Sequence, residues 1–202
     1  MENRILLFVT LAAAFVFAGN VQKGSFTDPR DGKTYKTVKI GNQVWMAENL
    51  NYETDSSYCY KDKKFFCLKF GRLYTWNAAM EACPAGWHLP SDSEWKTLFE
   101  AVGGEDVTGM KLKSKSVWYD EGYGADDSGF SVLPAGYRSD GGYYYRAGEV
   151  AYFWSSTERC SDFAYSCNYA CLWLFDYDFE GVTSGYYVKD FGFSVRCLRD
   201  SE

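Results

Sequence analysis

Chemistry has few places to reside in this chain. His88 is the only histidine among 202 residues, so no zinc site with two or more imidazole ligands can form. As a general base His88 would need a nucleophile beside it, and the sequence pairs it with none. The expectation is a packed residue between Trp87 and Leu89, hydrogen-bonded to backbone. Glu94 follows Ser91 by three positions, just ahead of Trp95, Leu98, Phe99 and Val102 at helical spacing. That is a capping box, which accounts for the carboxylate without a catalytic role. Asp176, Asp178 and Glu180 alternate, and on a strand they would share one face. Hard oxygen ligands of this kind suit Ca²⁺, but a solvated acidic edge explains the same residues, and no cofactor or metal is expected. Asp126-Asp127-Ser128-Gly129 reads as a turn that opens the next strand.

The seven cysteines are Cys59, Cys67, Cys83, Cys160, Cys167, Cys171 and Cys197. There is no C-x-x-C pair, and the spacing from Cys160 to Cys171 matches no ordinary zinc pattern, so disulfides are the default. Cys59 and Cys67 flank the polar stretch Lys61-Asp62-Lys63-Lys64 and would clip a hairpin. Cys83 and Cys197 would tie the middle of the chain to its end, a closure that contributes about 4–5 kcal/mol in the chain-entropy picture. Two of Cys160, Cys167 and Cys171 supply a further pair, and the odd count leaves one thiol over or pairs it between chains.

Aromatic residues carry the main hint of recognition. The chain holds 17 Tyr, 15 Phe and 7 Trp, which excludes a disordered chain and points to a large ring-filled core. Tyr143, Tyr144 and Tyr145 are consecutive, and consecutive strand residues face opposite ways, so some of these rings must be exposed. With Tyr186 and Tyr187 they are the expected ligand-binding residues, with Tyr119, Tyr123 and Tyr137 as further tyrosines of the same half. Exposed rings with polar tips suit stacking on sugar faces or on a protein partner.

The elements that must position these groups are legible as patterns. Tyr35 to Ile40 and Gln43 to Ala47 alternate around Gly41-Asn42, which predicts a β-hairpin. Leu73 to Cys83 reads as one helix, with Trp76, Met80 and Cys83 on its inner face, stopped by Pro84. A second helix follows the capping box and ends at Gly103-Gly104. Beyond about residue 117, short aromatic runs separated by Gly, Asp and Ser predict an antiparallel β half: Phe130–Leu133, Gly142–Tyr145, Ala151–Ser155, Leu172–Tyr177, Gly185–Val188 and Phe193–Leu198. Strands segregated from helices argue for an α+β fold.

At the N-terminus, Arg4 precedes an apolar run from Ile5 to Ala18, too short to span a bilayer and ending in small residues. Residues 1–18 are therefore read as a signal peptide cleaved after Ala18, residues 19–27 as a leader segment, and 28–202 as one domain. The expected location is secreted, periplasmic or cell-surface, with no membrane span in the mature chain. A formal charge of -6 argues against a nucleic-acid partner.

Seven sequence blocks together resemble the Fibrobacter succinogenes major paralogous domain. They are Asp31–Tyr35, Trp45–Leu50, Gly71–Trp76, Cys83–Pro90, Gly129–Gly136, Phe153–Thr157 and Gly192–Cys197. The blocks Gly86–Trp95 and Gly192–Arg196 are also similar to those of the formylglycine-generating-enzyme superfamily. These resemblances imply a C-type-lectin-like fold: two helices packed on small antiparallel sheets, long loops that carry the site, and a Cys83–Cys197 staple. They imply a surface or secreted protein with no generally established activity. The segment 159–185, with its three cysteines, departs from the pattern. The sugar-binding tripeptides of calcium-dependent lectins are absent. The function expected is a non-enzymatic module that binds a polysaccharide or a surface protein. The alternatives are an enzyme of the formylglycine-generating type, whose reactive cysteine pair has no assignable counterpart here, or another secreted hydrolase, and a structural envelope protein.

Overall fold

The structure, a computed structural model, describes residues 21–122, 124–161 and 166–201. The signal-peptide reading of residues 1–18 lies outside them. In chain order the elements are β1 (Gln22–Thr27), β2 (Thr34–Ile40), β3 (Gln43–Met46), β4 (Ser57–Tyr58), α1 (Lys64–Phe70), β5 (Leu73–Tyr74), α2 (Trp76–Ala82), β6 (Trp87–His88), α3 (Asp92–Val102) and α4 (Glu105–Leu112). The second half adds β7 (Tyr137–Arg138), β8 (Tyr144–Tyr145), β9 (Val150–Ser161), β10 (Ser166–Asp176), β11 (Thr183–Val188) and β12 (Leu198–Arg199). The fold is α+β, with small antiparallel sheets.

The alternating run at Tyr35–Ile40 turns at Gly41, whose φ of 57° suits a residue without Cβ, and returns as β3 with Ile40 opposite Gln43. This hairpin is the middle of a five-stranded sheet ordered β1-β2-β3-β12-β6. Residues 22–27, set apart as a leader on sequence, form β1, paired along its length with β2 from Gln22↔Lys39 to Thr27↔Thr34. Its polar composition reflects an exposed edge position. A second sheet, ordered β11-β10-β9, is antiparallel, with Trp173 opposite Phe153 and Leu172 opposite Trp154. Both faces of its central part are buried. Trp173 meets Phe99 of α3 on one side at 4.7 Å between ring centroids, and Trp154 meets Phe193 on the other at 4.4 Å.

Three of the helices differ from expectation. The stretch read as one helix from Leu73 begins as a strand, and α2 starts at Trp76. Its inner face is Trp76, Ala79 and Ala82, while Met80 is exposed, because the small alanines let the helix lie close to its neighbours. α4 follows α3 directly across Gly103-Gly104, where the sequence pattern predicts no helix. Gly109 sits in its middle, which lowers helix propensity, yet a Cβ there would lie 2.2 Å from the carbonyl oxygen of Gly181. Close backbone approach, not propensity, requires that glycine. α1 is likewise absent from the sequence pattern, and it lies where a hairpin between Cys59 and Cys67 is expected. It is held by the Cys59–Cys67 bridge and packs Cys67 and Phe70 inward.

Three disulfides close: Cys59–Cys67, Cys83–Cys197 and Cys160–Cys167. Cys171 is the remaining thiol, half-buried, and burial raises its pKa. At the centre, the Arg196 guanidinium is fully buried. It donates to Asn49 Oδ1 at 2.7 Å, to Met46 O at 3.2 Å, to Phe130 O at 2.5 Å and to Ser131 O at 2.8 Å. Burial pushes its pKa down to about 9, which leaves it cationic at neutral pH. The sequence blocks around Trp45, Gly129 and Gly192 meet on this one side chain.

Candidate functional site

Phe193 is almost wholly buried beneath a surface of five rings. Tyr152 stacks on it at 4.9 Å with planes 17° apart, Tyr187 meets it edge-on at 5.8 Å, and Phe191 and Tyr137 lie at 5.9 and 6.3 Å, in addition to its contact with Trp154 of β9. Above this anchor the rings touch one another. Tyr137 stacks on its cross-strand partner Tyr145 at 5.4 Å and meets Tyr152 at 5.3 Å; Tyr152 meets Tyr187 at 6.2 Å; Tyr187 meets Phe191 at 4.9 Å. Tyr145 and Tyr187 are the exposed members, at 44% and 41%. The result is an aromatic platform assembled from β7, β8, β9, β11 and the turn after β11.

Local sequence explains the placement. Ser139 to Tyr143 close a tight hairpin, with the Ser139 N–H donating to Tyr143 O at 2.8 Å, and this aligns Tyr137 with Tyr145 on one face. β11 pairs with β10 so that Tyr187 lies opposite Ala170, where a small partner leaves room for the ring. The polar border is Arg146, whose guanidinium donates to Glu149 at 3.0 Å and to Asp176 at 3.1 Å. Burial raises the Tyr137 phenol and pushes Tyr152 up to about 12, with Arg146 opposing both shifts. These phenols therefore remain protonated donors at neutral pH. Among the described residues, none of the hydroxyls of Tyr137, Tyr145, Tyr152 and Tyr187 is hydrogen-bonded to a protein group.

Of the five tyrosines named from sequence, Tyr145 and Tyr187 enter the platform and three do not. Tyr144 faces the other way. Its hydroxyl donates to Asp62 Oδ1 at 2.5 Å and its ring leans on Tyr60, so it braces the Cys59–Cys67 loop; burial, then the hydrogen bond to Asp62 and its charge, push its pKa up to about 12. Tyr143 stands at the hairpin tip, 68% exposed. Tyr186 lies on the opposite face of β11 with Tyr169 and beneath Arg159. Tyr123 lies outside the described residues. Tyr152, Phe191 and Phe193 join the site without having been marked by sequence. The alternation of β9, with Phe153 facing the core and Tyr152 the other side, is the signal that could have found Tyr152.

The other groups of chemical interest have structural partners. His88 Nδ1 lies 2.6 Å from Asp200 Oδ1 and Nε2 lies 3.0 Å from Glu94 Oε1, not on backbone as expected. Two facing carboxylates favour the doubly protonated ring. Burial alone would lower its pKa, but these two bonds outweigh it and raise it. With both ring nitrogens engaged by carboxylates, neither is free to take a proton from a substrate. Glu94 completes the capping box of α3 with Ser91. Asp126 accepts from the Ser131 N–H and hydroxyl, which closes the turn ahead of Ser131.

Asp176, Asp178 and Glu180 do not share a strand face, because β10 ends at Asp176 and the chain turns. The turn's carbonyls at Asp176, Tyr177 and Phe179 instead accept from the Lys113 ammonium at 2.9, 3.2 and 3.0 Å. The turn thus converges on a side-chain cation. Burial lowers the Lys113 pKa against the pull of the neighbouring carboxylates. A cavity of about 210 Å³, lined in part by Tyr35, Asn49, Leu68 and Gly71, opens elsewhere, beside α1.

No curated protein and no solved structure matches the chain. The model of the Fibrobacter succinogenes major domain matches residues 38–199, which takes in β3, α1 to α4 and every strand of the platform, and the chain belongs to that family.

Proposed function

We propose that the protein is an exported, non-enzymatic binding module with a C-type-lectin-like arrangement of its sheets and loops, and that it recognises polysaccharide on the platform of Tyr137, Tyr145, Tyr152, Tyr187 and Phe191. The observation that carries this reading is the continuity of the rings together with their unpartnered hydroxyls. Apolar ring faces stack on the C–H faces of sugars, while free phenol oxygens and the Arg146–Glu149–Asp176 border exchange hydrogen bonds with sugar hydroxyls. Two separate rings of the cluster, Tyr145 and Tyr187, are exposed, which suits an extended polymer that contacts both better than a small metabolite held in a pocket. Three disulfides support an oxidising compartment, and no helix among the described residues is long and apolar enough to cross a membrane.

Affinity electrophoresis through gels that contain neutral soluble polysaccharides tests the proposal. Tyr145→Ala and Tyr187→Ala each remove one exposed ring, worth roughly 1 kcal/mol or about fivefold in affinity, whereas Tyr143→Ala leaves retention unchanged. Retention that is equally insensitive to Tyr145 and Tyr187, or absent for every glycan with the fold intact, removes the carbohydrate reading and favours a protein partner.

A further inference from the structure

A second exposed surface has a different chemistry. On α1 the residues that face inward are Phe66, Cys67 and Phe70, with Phe66 packed on Tyr60 at 5.2 Å and stacked on Phe70 at 6.2 Å. At about 100° per residue, Lys64, Phe65, Leu68 and Lys69 fall within a solvent-facing arc of roughly 140°. Phe65 is 65% exposed and Leu68 is 72% exposed, three positions apart and therefore adjacent on the helix surface. Lys61, Lys63, Lys64 and Lys69 surround them, all exposed, and none has an ion-pair partner among the described residues. The one acid within this stretch, Asp62, is engaged by the Tyr144 hydroxyl. In a chain of formal charge -6, this loop is locally cationic. The Cys59–Cys67 bridge, the Tyr60 and Phe66 packing and the Tyr144 brace fix its shape, so its exposed apolar groups are presented rather than collapsed.

We propose that this basic, apolar-tipped loop docks the protein on an anionic lipid surface. Charge complementarity draws the lysines to the headgroups, and Phe65 and Leu68 enter the boundary between headgroup and acyl chain. An acidic polysaccharide would use the lysines but has no apolar interior in which to bury Leu68 and Phe65, and this difference separates the two partners. The site is distinct from the ring platform. β8 links them, with Tyr144 turned to the loop and Tyr145 to the platform, so a lipid-docked molecule would hold its rings to one side of the contact.

The test is co-sedimentation of the processed chain with vesicles of phosphatidylcholine alone and of phosphatidylcholine with phosphatidylglycerol. The expected result is binding to the anionic vesicles only, weakened by salt. Lys63→Gln and Lys64→Gln each reduce it about fivefold, and Phe65→Ser with Leu68→Ser reduces it at least tenfold. All four side chains are exposed, so the far-ultraviolet circular dichroism of the variants stays that of the parent, and Tyr145→Ala leaves vesicle binding unchanged. Absence of binding to anionic vesicles overturns the proposal. So does binding that ignores Phe65 and Leu68, or retention on polygalacturonate that needs the lysines alone, which assigns the loop to an acidic polymer. Because neutral-glycan retention and vesicle binding respond to different residues, failure of one reading leaves the other standing.

Discussion

Replacing Arg196 with methionine removes a buried cation while keeping a side chain of similar bulk. The guanidinium supplies the donor for four oxygens: Asn49 Oδ1 and the carbonyls of Met46, Phe130 and Ser131. Three of these belong to the backbone, so no compensating substitution can remove them. Each acceptor left dry costs about 1–3 kcal/mol, and Arg196 has no exposed surface through which water could replace it. The low end for four acceptors is about 4 kcal/mol, a large share of the roughly 5–15 kcal/mol that holds a typical domain together. Burying methionine instead of a charge offsets part of this, but that gain accompanies replacement of a whole ion pair, not the orphaning of its partners. With a urea m-value of about 2 kcal/mol per molar, the unfolding midpoint should fall by about 2 M at unchanged slope. Arg196→Lys should lose less, because an ammonium still donates three bonds but cannot span all four oxygens. A midpoint shift below about 0.5 M for Arg196→Met (about 1 kcal/mol at that slope) would falsify the claim that this cation is what joins the Trp45, Gly129 and Gly192 blocks.

Other outcomes follow from the same geometry. The His88 pKa is raised in the folded state, so its contribution is complete below the unfolded value of about 6.5 and fades as pH rises through the folded value. Glu94 is lowered, with burial outweighed by Ser91 and His88, so its share is lost as pH falls through its depressed pKa. His88→Gln should therefore cost most at acid pH, no more than about 1 kcal/mol at this half-exposed, solvent-screened site, and progressively less as pH rises; a pH-independent difference in urea midpoints contradicts this. The Cys83–Cys197 bridge spans 114 residues and Cys59–Cys67 spans 8, which gives about 5 and about 2.5 kcal/mol of loop-closure stabilisation respectively. Cys83→Ala with Cys197→Ala should lower the melting temperature more than Cys59→Ala with Cys67→Ala, and the reverse order would mean that packing around each bridge in the native state outweighs loop closure.

The hairpin at Gly41 and the capped helix from Ser91 are readable because both rest on interactions within a few residues: a φ > 0 turn position, and a hydroxyl and carboxylate reaching backbone N–H groups next to them. α4 is not readable. Its central glycine argues against a helix until the Gly181 carbonyl is known to pass there, and that contact joins residues some 70 positions apart. The same reason hides the partners of the alternating acids near Asp176. Their strand-like spacing is clear, but the Lys113 ammonium that draws the turn's carbonyls together comes from the end of a helix in the other half of the chain.

Tyrosine content identifies the half of the molecule that carries the rings but not which rings cooperate, and the physical reason is the two-residue period of a strand. Tyr144 and Tyr145, like Tyr186 and Tyr187, are neighbours in sequence and therefore point to opposite faces, so at most one of each pair can contribute to a shared surface. Which one contributes is fixed by what lies opposite: Ala170 admits Tyr187, Asp62 claims Tyr144, and Phe193 provides the floor on which the remaining rings settle. Phe193 and Arg196 stand in the same block of the chain, one supporting the platform and the other tying together the core beneath it. A change that loosens Arg196 should therefore disturb the spacing of Tyr152 and Tyr187 before either ring is itself altered. Near-ultraviolet circular dichroism of Arg196→Lys should reveal this as a weakened tyrosine signal, while the far-ultraviolet spectrum keeps its native shape.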